Sequence, residues 1–351
     1  MHPYRLIGIV ILIGVLIGCS ASNAIPSPTL AQGPAETITP AQSAITPDPV
    51  ASNSLAQTVP SPLATTPATA TPSSAGGFSI RLFGSSTNDL DRIKIPLGTI
   101  NSSGQLTSSR PVNVGGDLTV EFWMKANAAD NTAPACDGWY YGNIIIDRDI
   151  FGNGDYGDYG IAICDGKLVV GFSVGSDDRL LKGNRTVTDG MWHHIAVTRA
   201  NSGQVRLFVD GQLDAQMNGP SGRIDYRLNR STSYPNSDPY LVFGAEKHDY
   251  PGSRYYNGLL DDVRLSNSVR YTGNFAPPTA PHPADANTVA LYRFDEGSGT
   301  TIGDSAPGNQ SPGVLQPRTG GAAQHWSTDT PFASSSAPLT PRAFLPMIIR
   351  S

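Results

Sequence analysis

The sequence predicts an all-β fold, a two-sheet sandwich, and three observations carry that expectation. The first is a hairpin from Gly190 to Gly211, in which Ile195 and Val197, then Val205, Leu207 and Val209, alternate with polar neighbours. A period of two marks strands with one face buried. The second is a series of further short strand candidates at close intervals in a chain with 37 Gly and 29 Pro, the residues that punctuate turns. The third is that no stretch holds a helical period over three turns.

The N-terminus reads as a targeting segment. Arg5 supplies positive charge, and the apolar stretch from Leu6 to Gly18 is short for a bilayer span. It runs into Leu16-Ile17-Gly18-Cys19, which resembles a bacterial lipobox. The resemblance implies a signal peptide over 1–18, cleavage before Cys19 and a lipid on its thiol, with about 0.8 kcal/mol of membrane attraction per buried methylene. Ser20 after the cysteine is similar to the pattern of outer-membrane delivery. Three Cys are present. With Cys19 lipidated in an exported chain, Cys136 and Cys164 are left to form a disulfide.

Residues 19–77 hold ten Pro, many Ser, Thr and Ala, no aromatic residue, and only Glu36 and Asp48 as charges. Such a segment buries too little apolar surface to offset its ordering entropy. It is expected to be a disordered stalk, with a reach between about 40 Å as a coil and about 180 Å as polyproline II.

The folded region is expected over 78–332. Strand candidates are 78–83, 90–95, 118–125, 143–146, 160–164 and 167–172, then the two strands of the hairpin, 240–244, 259–265 and 289–294. Asn201-Ser202-Gly203 supplies the hairpin turn, and Asp210-Gly211 the next, where positive φ is cheap. A region of about 250 residues is within range for one sandwich. Residues 333–351 are again Ser/Ala/Pro-rich and end in an apolar run too short to span a membrane. A sorting tag, a docked strand and a loose tail all remain open for them.

Trp192-His193-His194-Ile195-Ala196-Val197-Thr198 with Val209-Asp210-Gly211 resembles the signature hairpin of the laminin-G-like jelly-roll family. Leu118-Thr119-Val120-Glu121-Phe122-Trp123-Met124-Lys125 and Gly258-Leu259-Leu260-Asp261-Asp262-Val263-Arg264-Leu265 are similar to two further strands of that family. The resemblance runs from about Phe78 to Ser266 and implies a concanavalin A-like jelly-roll sandwich used mostly for binding. Leu291-Tyr292-Arg293-Phe294-Asp295-Glu296-Gly297, with Asp304-Ser305, looks like a segment that usually precedes the sandwich. Here it follows, and it is expected to pair back onto the same domain.

Several residues are candidates for a site. By a strict period of two, Leu259, Asp261, Val263 and Leu265 share one face and Leu260, Asp262 and Arg264 the other, so one carboxylate faces an apolar layer and needs a partner. The resemblance implies Ca²⁺ as the cofactor, in loops at the sandwich rim, with Asn88, Asp89, Asp91, Asp261 and Asp262 as ligands; an Arg or backbone N–H groups would serve a buried carboxylate as well. Asp147, Asp149, Asn153, Asp155 and Asp158 form a second oxygen-rich stretch, made also of ordinary turn residues. Trp139, Tyr140, Tyr141, Tyr156 and Tyr159 lie between the two cysteines, and Tyr250, Tyr255 and Tyr256 in a second loop region. Their flat faces and polar edges suit a carbohydrate or a protein surface. His193 and His194 are adjacent on a strand and so point opposite ways.

The net charge is −5 with 15% charged residues. That balance argues against nucleic acid, which calls for clustered Lys and Arg. A sandwich glycosidase needs paired carboxylates. Glu121 stands alone on its strand, and Asp261 and Asp262 are expected on opposite faces, so no catalytic residues are predicted. The expectation is a non-catalytic binding module for a carbohydrate or glycoprotein, anchored in a membrane by its N-terminal lipid at the cell surface or envelope. Protein adhesion and a structural envelope role are the alternatives, ahead of a polysaccharide-degrading enzyme.

Overall fold

The structure is a computed structural model describing residues 77–84, 91–150, 157–230, 232, 234, 236, 238–247, 254–318 and 320–332. The segments expected as signal peptide, stalk and tail lie outside the described residues, apart from Gly77. The strands in chain order are β1 (Ser79–Phe83), β2 (Arg92–Pro96), β3 (Gly98–Ile100), β4 (Leu106–Ser109), β5 (Leu118–Asn127), β6 (Asn143–Arg148), β7 (Asp158–Cys164), β8 (Lys167–Val174), β9 (Asp177–Thr186) and β10 (Asp189–Arg199). They continue with β11 (Gln204–Val209), β12 (Gln212–Asn218), β13 (Tyr240–Phe243), β14 (Arg254–Tyr255), β15 (Asn257–Ser266), β16 (Thr288–Tyr292), β17 (Thr301–Ile302), β18 (Gly313–Gln316) and β19 (Trp326–Ser327).

Two sheets stack. The first has the order β12-β11-β10-β5-β15-β1-β19, with β16 also on β15; the second runs β17-β18-β2-β13-β6-β7-β8-β9, with β14 on β6. Among the described residues all strand pairings are antiparallel except the short β14–β6 contact. Val120, Phe122 and Met124 of β5 and Ile195 and Val197 of β10 meet Ile161, Val170 and Phe172 of the second sheet in one buried core. Alternation in the sequence therefore reads directly as the inward face. The hairpin turns are as expected. Asp210 and Gly211 both take positive φ (51° and 70°), the conformation a two-residue hairpin turn of right-handed twist requires.

The C-terminal segment does pair back: β16 lies on β15, β18 on β2 and β19 on β1. Asp304 fixes the fold-back, accepting hydrogen bonds from the backbone N–H of Leu291 (3.0 Å), Ala306 (2.9 Å) and Ser311 (3.0 Å).

β15 departs from the strict alternation expected for it. A bulge lies between Asp261 and Arg264 where β15 meets β5, and Asp262 takes φ +47°. The extra residue shifts the parity, as bulges do. Leu260, Val263 and Leu265 face the core, while Asp261 stands opposite Trp123 and Arg264 opposite Glu121 on the outer face. Leu259 and Asp261 thus do not share a face with Val263 and Leu265, and neither Asp261 nor Asp262 joins the apolar core.

Candidate functional site

The chain between β5 and β6 crosses the outer face of the second sheet and carries a 3₁₀ turn, Trp139–Tyr141. A disulfide between Cys136 and Cys164 ties it to β7. Under this cover lies a small second core of Cys136, Trp139, Ile144, Ala162, Cys164 and Val169. The Trp139 indole rests on two glycines that face each other across β7 and β8, Gly160 and Gly171. A Cβ would come within 2.0 Å of the ring at Gly160 and 1.9 Å at Gly171. Here glycine is required by close approach.

Trp139 is buried, so it anchors the turn and offers no binding face, contrary to the expectation for it. Its two neighbours remain outside: Tyr140 is 37% exposed and Tyr141 43%, with ring centroids 4.5 Å apart. Nearby, a recess of about 240 Å³ opens beside the disulfide, lined by Cys136, Cys164, Lys167, Val169 and Lys182. Lys182 also pairs with the exposed Asp137 at 3.0 Å. Flat aromatic faces beside charged hydrogen-bonding groups are what sugar rings and protein surfaces both use.

The other aromatic candidates divide sharply. Tyr156 and Tyr250 lie outside the described residues. Tyr159, Tyr255 and Tyr256 are buried and belong to the interior, which corrects their assignment to a ligand surface. Tyr159 packs in the main core with the Arg148 guanidinium 5.4 Å from its ring centre, and burial pushes its hydroxyl up to about 12. Tyr256 donates to the carbonyls of Lys125 (3.0 Å) and Leu259 (2.8 Å).

Of the expected Ca²⁺ ligands, Asn88 and Asp89 lie outside the described residues. Asp91 is a structural clamp. It accepts from the N–H of Phe83 (3.1 Å) and Arg318 (2.6 Å), and His325 Nε2 stands 3.1 Å from its Oδ2 in full burial. Asp262 accepts from the His282 N–H and faces Arg293 at 3.5 Å. Burial, then the nearby Asp262 and Asp295, push the Asp261 carboxyl up to about 9.

The second oxygen-rich stretch comes together at the end of β6. Asp147 accepts from the N–H of Asp149 (2.6 Å) and of Lys247 (2.8 Å). Burial, followed by the charge of Asp149 and a hydrogen bond between the two side chains, pushes the Asp158 carboxyl up. Two carboxylates this close need a proton or a cation between them. Asn153 and Asp155 lie outside the described residues.

A polar cluster that the sequence reading missed lies on the outer face of the first sheet, beneath residues 267–287. Glu121 is 0% exposed. Its Oε1 accepts from Arg264 Nε (2.9 Å) and Nη2 (2.8 Å), and its Oε2 from the Tyr271 hydroxyl (2.8 Å). His194 Nε2 and His282 Nε2 lie 3.6 and 3.7 Å from Oε2. Burial pushes the Glu121 carboxyl up, but the His194 contact and positive charge outweigh it and hold it down to about 2. His282 is itself held down to about 3, chiefly by burial, and is neutral near pH 7. The permanent positive charges beside Glu121 are therefore Arg264 at 2.8 Å and Arg270 at 3.7 Å. The bland polar positions of an amphipathic strand hid this layer, since nothing in the sequence marks 267–287 as a cover. His193, by contrast, sits at the rim between Asp210 (2.8 Å) and Asp189 (3.1 Å).

No curated protein matches the chain by sequence. Among solved structures it is similar to a candidate carbohydrate binding protein from Bacteroides ovatus ATCC 8483, with 15% identity, a TM-score of 0.43, and coverage of 70% of this chain and 59% of that one. It is also similar to the native heptameric SAP-like pentraxin from Limulus polyphemus (14%, 0.37, 56% and 78%) and to domains LG4-5 of the mouse laminin α1 chain (14%, 0.36, 69% and 54%). The chain thus spans about six tenths of the Bacteroides protein and just over half of the laminin fragment. A laminin-G family profile matches residues 97–272, half the chain, from β3 through the signature hairpin to β15 and the start of its cover, and the chain belongs to the concanavalin A-like lectin/glucanases superfamily.

Proposed function

We propose that this domain is a non-catalytic binding module for a carbohydrate or glycoprotein, and that the ligand stacks on Tyr140 and Tyr141. The observation that carries the reading is the division of labour in the 3₁₀ turn. Trp139 takes the packing and the disulfide fixes the turn to β7, so two adjacent tyrosines stay exposed on a braced support. Pre-ordered aromatic faces lose little entropy on binding. Lys182 and Asp137 supply hydrogen-bonding groups at the same cover.

A Ca²⁺ ion would fit the carboxylates of Asp149 and Asp158 better than those of Asp91, whose oxygens are already engaged by donors. Hard oxygen ligands suit that ion, and its charge would relieve the crowding of the two acids. Lipid on Cys19 and the Pro-rich stalk would present the module away from a membrane.

A glycan array with the full chain, with and without Ca²⁺, tests the reading. Binding to one sugar class that falls at least tenfold in Y140A/Y141A, with unchanged thermal stability, is the expected result. No glycan binding, or binding indifferent to both substitutions, would move the weight to protein adhesion. Loss of the Ca²⁺-dependent melting shift in D158N checks the ion, and loss of fatty-acid labelling in C19A checks the anchor.

A further inference from the structure

The geometry points to a Zn²⁺-class ion held by Glu121, His194 and His282 on the outer face of the first sheet, pinning the 267–287 segment to β5 and β10. Each ligand comes from a different element: Glu121 from the centre of β5, His194 from the neighbouring strand β10, and His282 from the cover. All three are buried, and Oε2 and the imidazole nitrogens lie within 4.8 Å of one another.

Two observations favour an ion over plain hydrogen bonding. The first is distance. His194 Nε2 and His282 Nε2 stand 3.6 and 3.7 Å from Glu121 Oε2, beyond the range of about 2.7–3.2 Å for such a hydrogen bond. Two ligands bound at about 2.0–2.1 Å to a common tetrahedral ion lie roughly 3.3–3.4 Å apart. A shift of a few tenths of an ångström brings both imidazoles to that spacing from Glu121, and the two imidazoles, within 4.8 Å of each other, close the rest by turning towards the ion. The second is that both ring nitrogens of His194 and the Nε2 of His282, although fully enclosed, have no hydrogen-bond partner among the described residues. Buried polar atoms of this kind are rare and call for an explanation.

The surroundings fit a metal's outer shell. Arg264 and Tyr271 hold Glu121 from Oε1 and from one lone pair of Oε2, and so orient its remaining lone pair. The Asp262 carboxylate, 3.9 Å from His282 Nε2, adds negative charge alongside. Arg264 and Arg270, 2.8 and 3.7 Å from Glu121 Oε1, are close enough to oppose a divalent ion, so the affinity expected is below that of an all-thiolate structural site. Two imidazoles and one carboxylate suit Zn²⁺ better than Ca²⁺, which prefers oxygen. The site is on the opposite sheet from the tyrosine pair and does not depend on what they bind.

The test uses the metal-stripped full chain, titrated with Zn²⁺ by calorimetry and with Co²⁺ by visible absorption. One ion per chain is expected, with the ligand-field bands of four-coordinate Co²⁺. H282Q should weaken binding at least about 100-fold, more than the loss of an outer-shell partner does. H193Q, whose side chain points away from the cluster to Asp189 and Asp210, should leave it unchanged. No Zn²⁺ bound by the unsubstituted chain, unweakened binding to folded H282Q, or loss in H193Q would each overturn the assignment. Should H282Q fail to fold, X-ray absorption at the zinc edge of the unsubstituted chain decides: a shell with two imidazoles supports the site, and a shell without imidazole removes it.

Discussion

The contact between Trp139 and Gly171 allows a prediction that separates packing from recognition. In G171A the new methyl would start 1.9 Å from the indole Cδ1, where carbon atoms settle at about 3.5–4.0 Å. The indole must withdraw by roughly 1.5–2 Å, and the sheet beneath it cannot yield, because Gly171 pairs with Gly160 in the middle of β7 and β8. Overpacking of this kind costs about 1–3 kcal/mol. Removing the indole outright, in W139A, should cost more, about 3–5 kcal/mol, through lost burial and a cavity over the glycines. Y141A, at 43% exposure, should lie within about 0.5 kcal/mol of the unsubstituted chain. Equilibrium unfolding in urea gives these values, and binding to an array-positive glycan gives the second readout. G171A is expected to lose stability and affinity together, whereas Y141A loses affinity alone. A G171A chain of unchanged stability would refute the argument that Trp139 is seated on the glycines. Unchanged affinity in a destabilised G171A would show that the tyrosines do not depend on that seat.

Three further outcomes follow from the same geometry. Replacing both Cys136 and Cys164 by Ala opens a loop of sequence separation 28, and the chain-entropy relation assigns roughly 3.5 kcal/mol to its closure; urea unfolding of the double variant measures it, and a loss below about 1 kcal/mol would contradict that relation here. R264M removes both N–H groups that Arg264 places on Glu121 Oε1 and should cost about 3–5 kcal/mol, with much of the loss recovered in E121Q/R264M; a double-variant loss equal to the sum of the R264M and E121Q losses would show no coupling between the pair. His193 is raised above its ordinary value, first by its hydrogen bond to Asp210 and then by Asp189, so its contribution is present below the unfolded-state pKa near 6.5 and fades as pH rises through the folded value. An NMR titration should show the His193 pKa fall in D210N, and no fall would remove Asp210 as the cause.

Much of the sandwich was legible because inward positions alternate. Val120, Phe122 and Met124 declare one face of β5, and Ile195 and Val197 that of β10, with no competing pattern. The turn at Asp210-Gly211 was legible because few residue pairs accept positive φ twice in succession. Alternation fails where one residue is inserted. Nothing local distinguishes Asp261-Asp262 from a regular strand, and the bulge is fixed only by the register against β5. Burial of aromatic residues was likewise illegible. Tyr255 and Tyr256 sit in a stretch rich in turn residues, and only the tertiary structure shows both rings enclosed. Trp139 and Tyr140 are neighbours of similar character, and their opposite fates depend on two glycines more than twenty residues away in sequence.

The outer polar positions carry a more general consequence. On a two-sheet sandwich, residues such as Glu121 and His194 should meet water, and the sequence gives no reason to expect otherwise. Here the 267–287 segment covers them, held by Arg270 to Asp285 (2.7 and 2.8 Å) and by Tyr271 stacked on Phe275 at 3.6 Å. Part of β6, β7 and β8 of the second sheet is covered in its turn by the disulfide-tied segment around Trp139. Where these covers lie, neither sheet presents a bare β-surface. The proposed function therefore places recognition on the covers, whose side chains are not bound to the period-two pattern of the core. Substitution of the exposed Tyr140 and Tyr141 is therefore expected to leave the sandwich intact, and substitution of the buried Trp139, one residue away, is not.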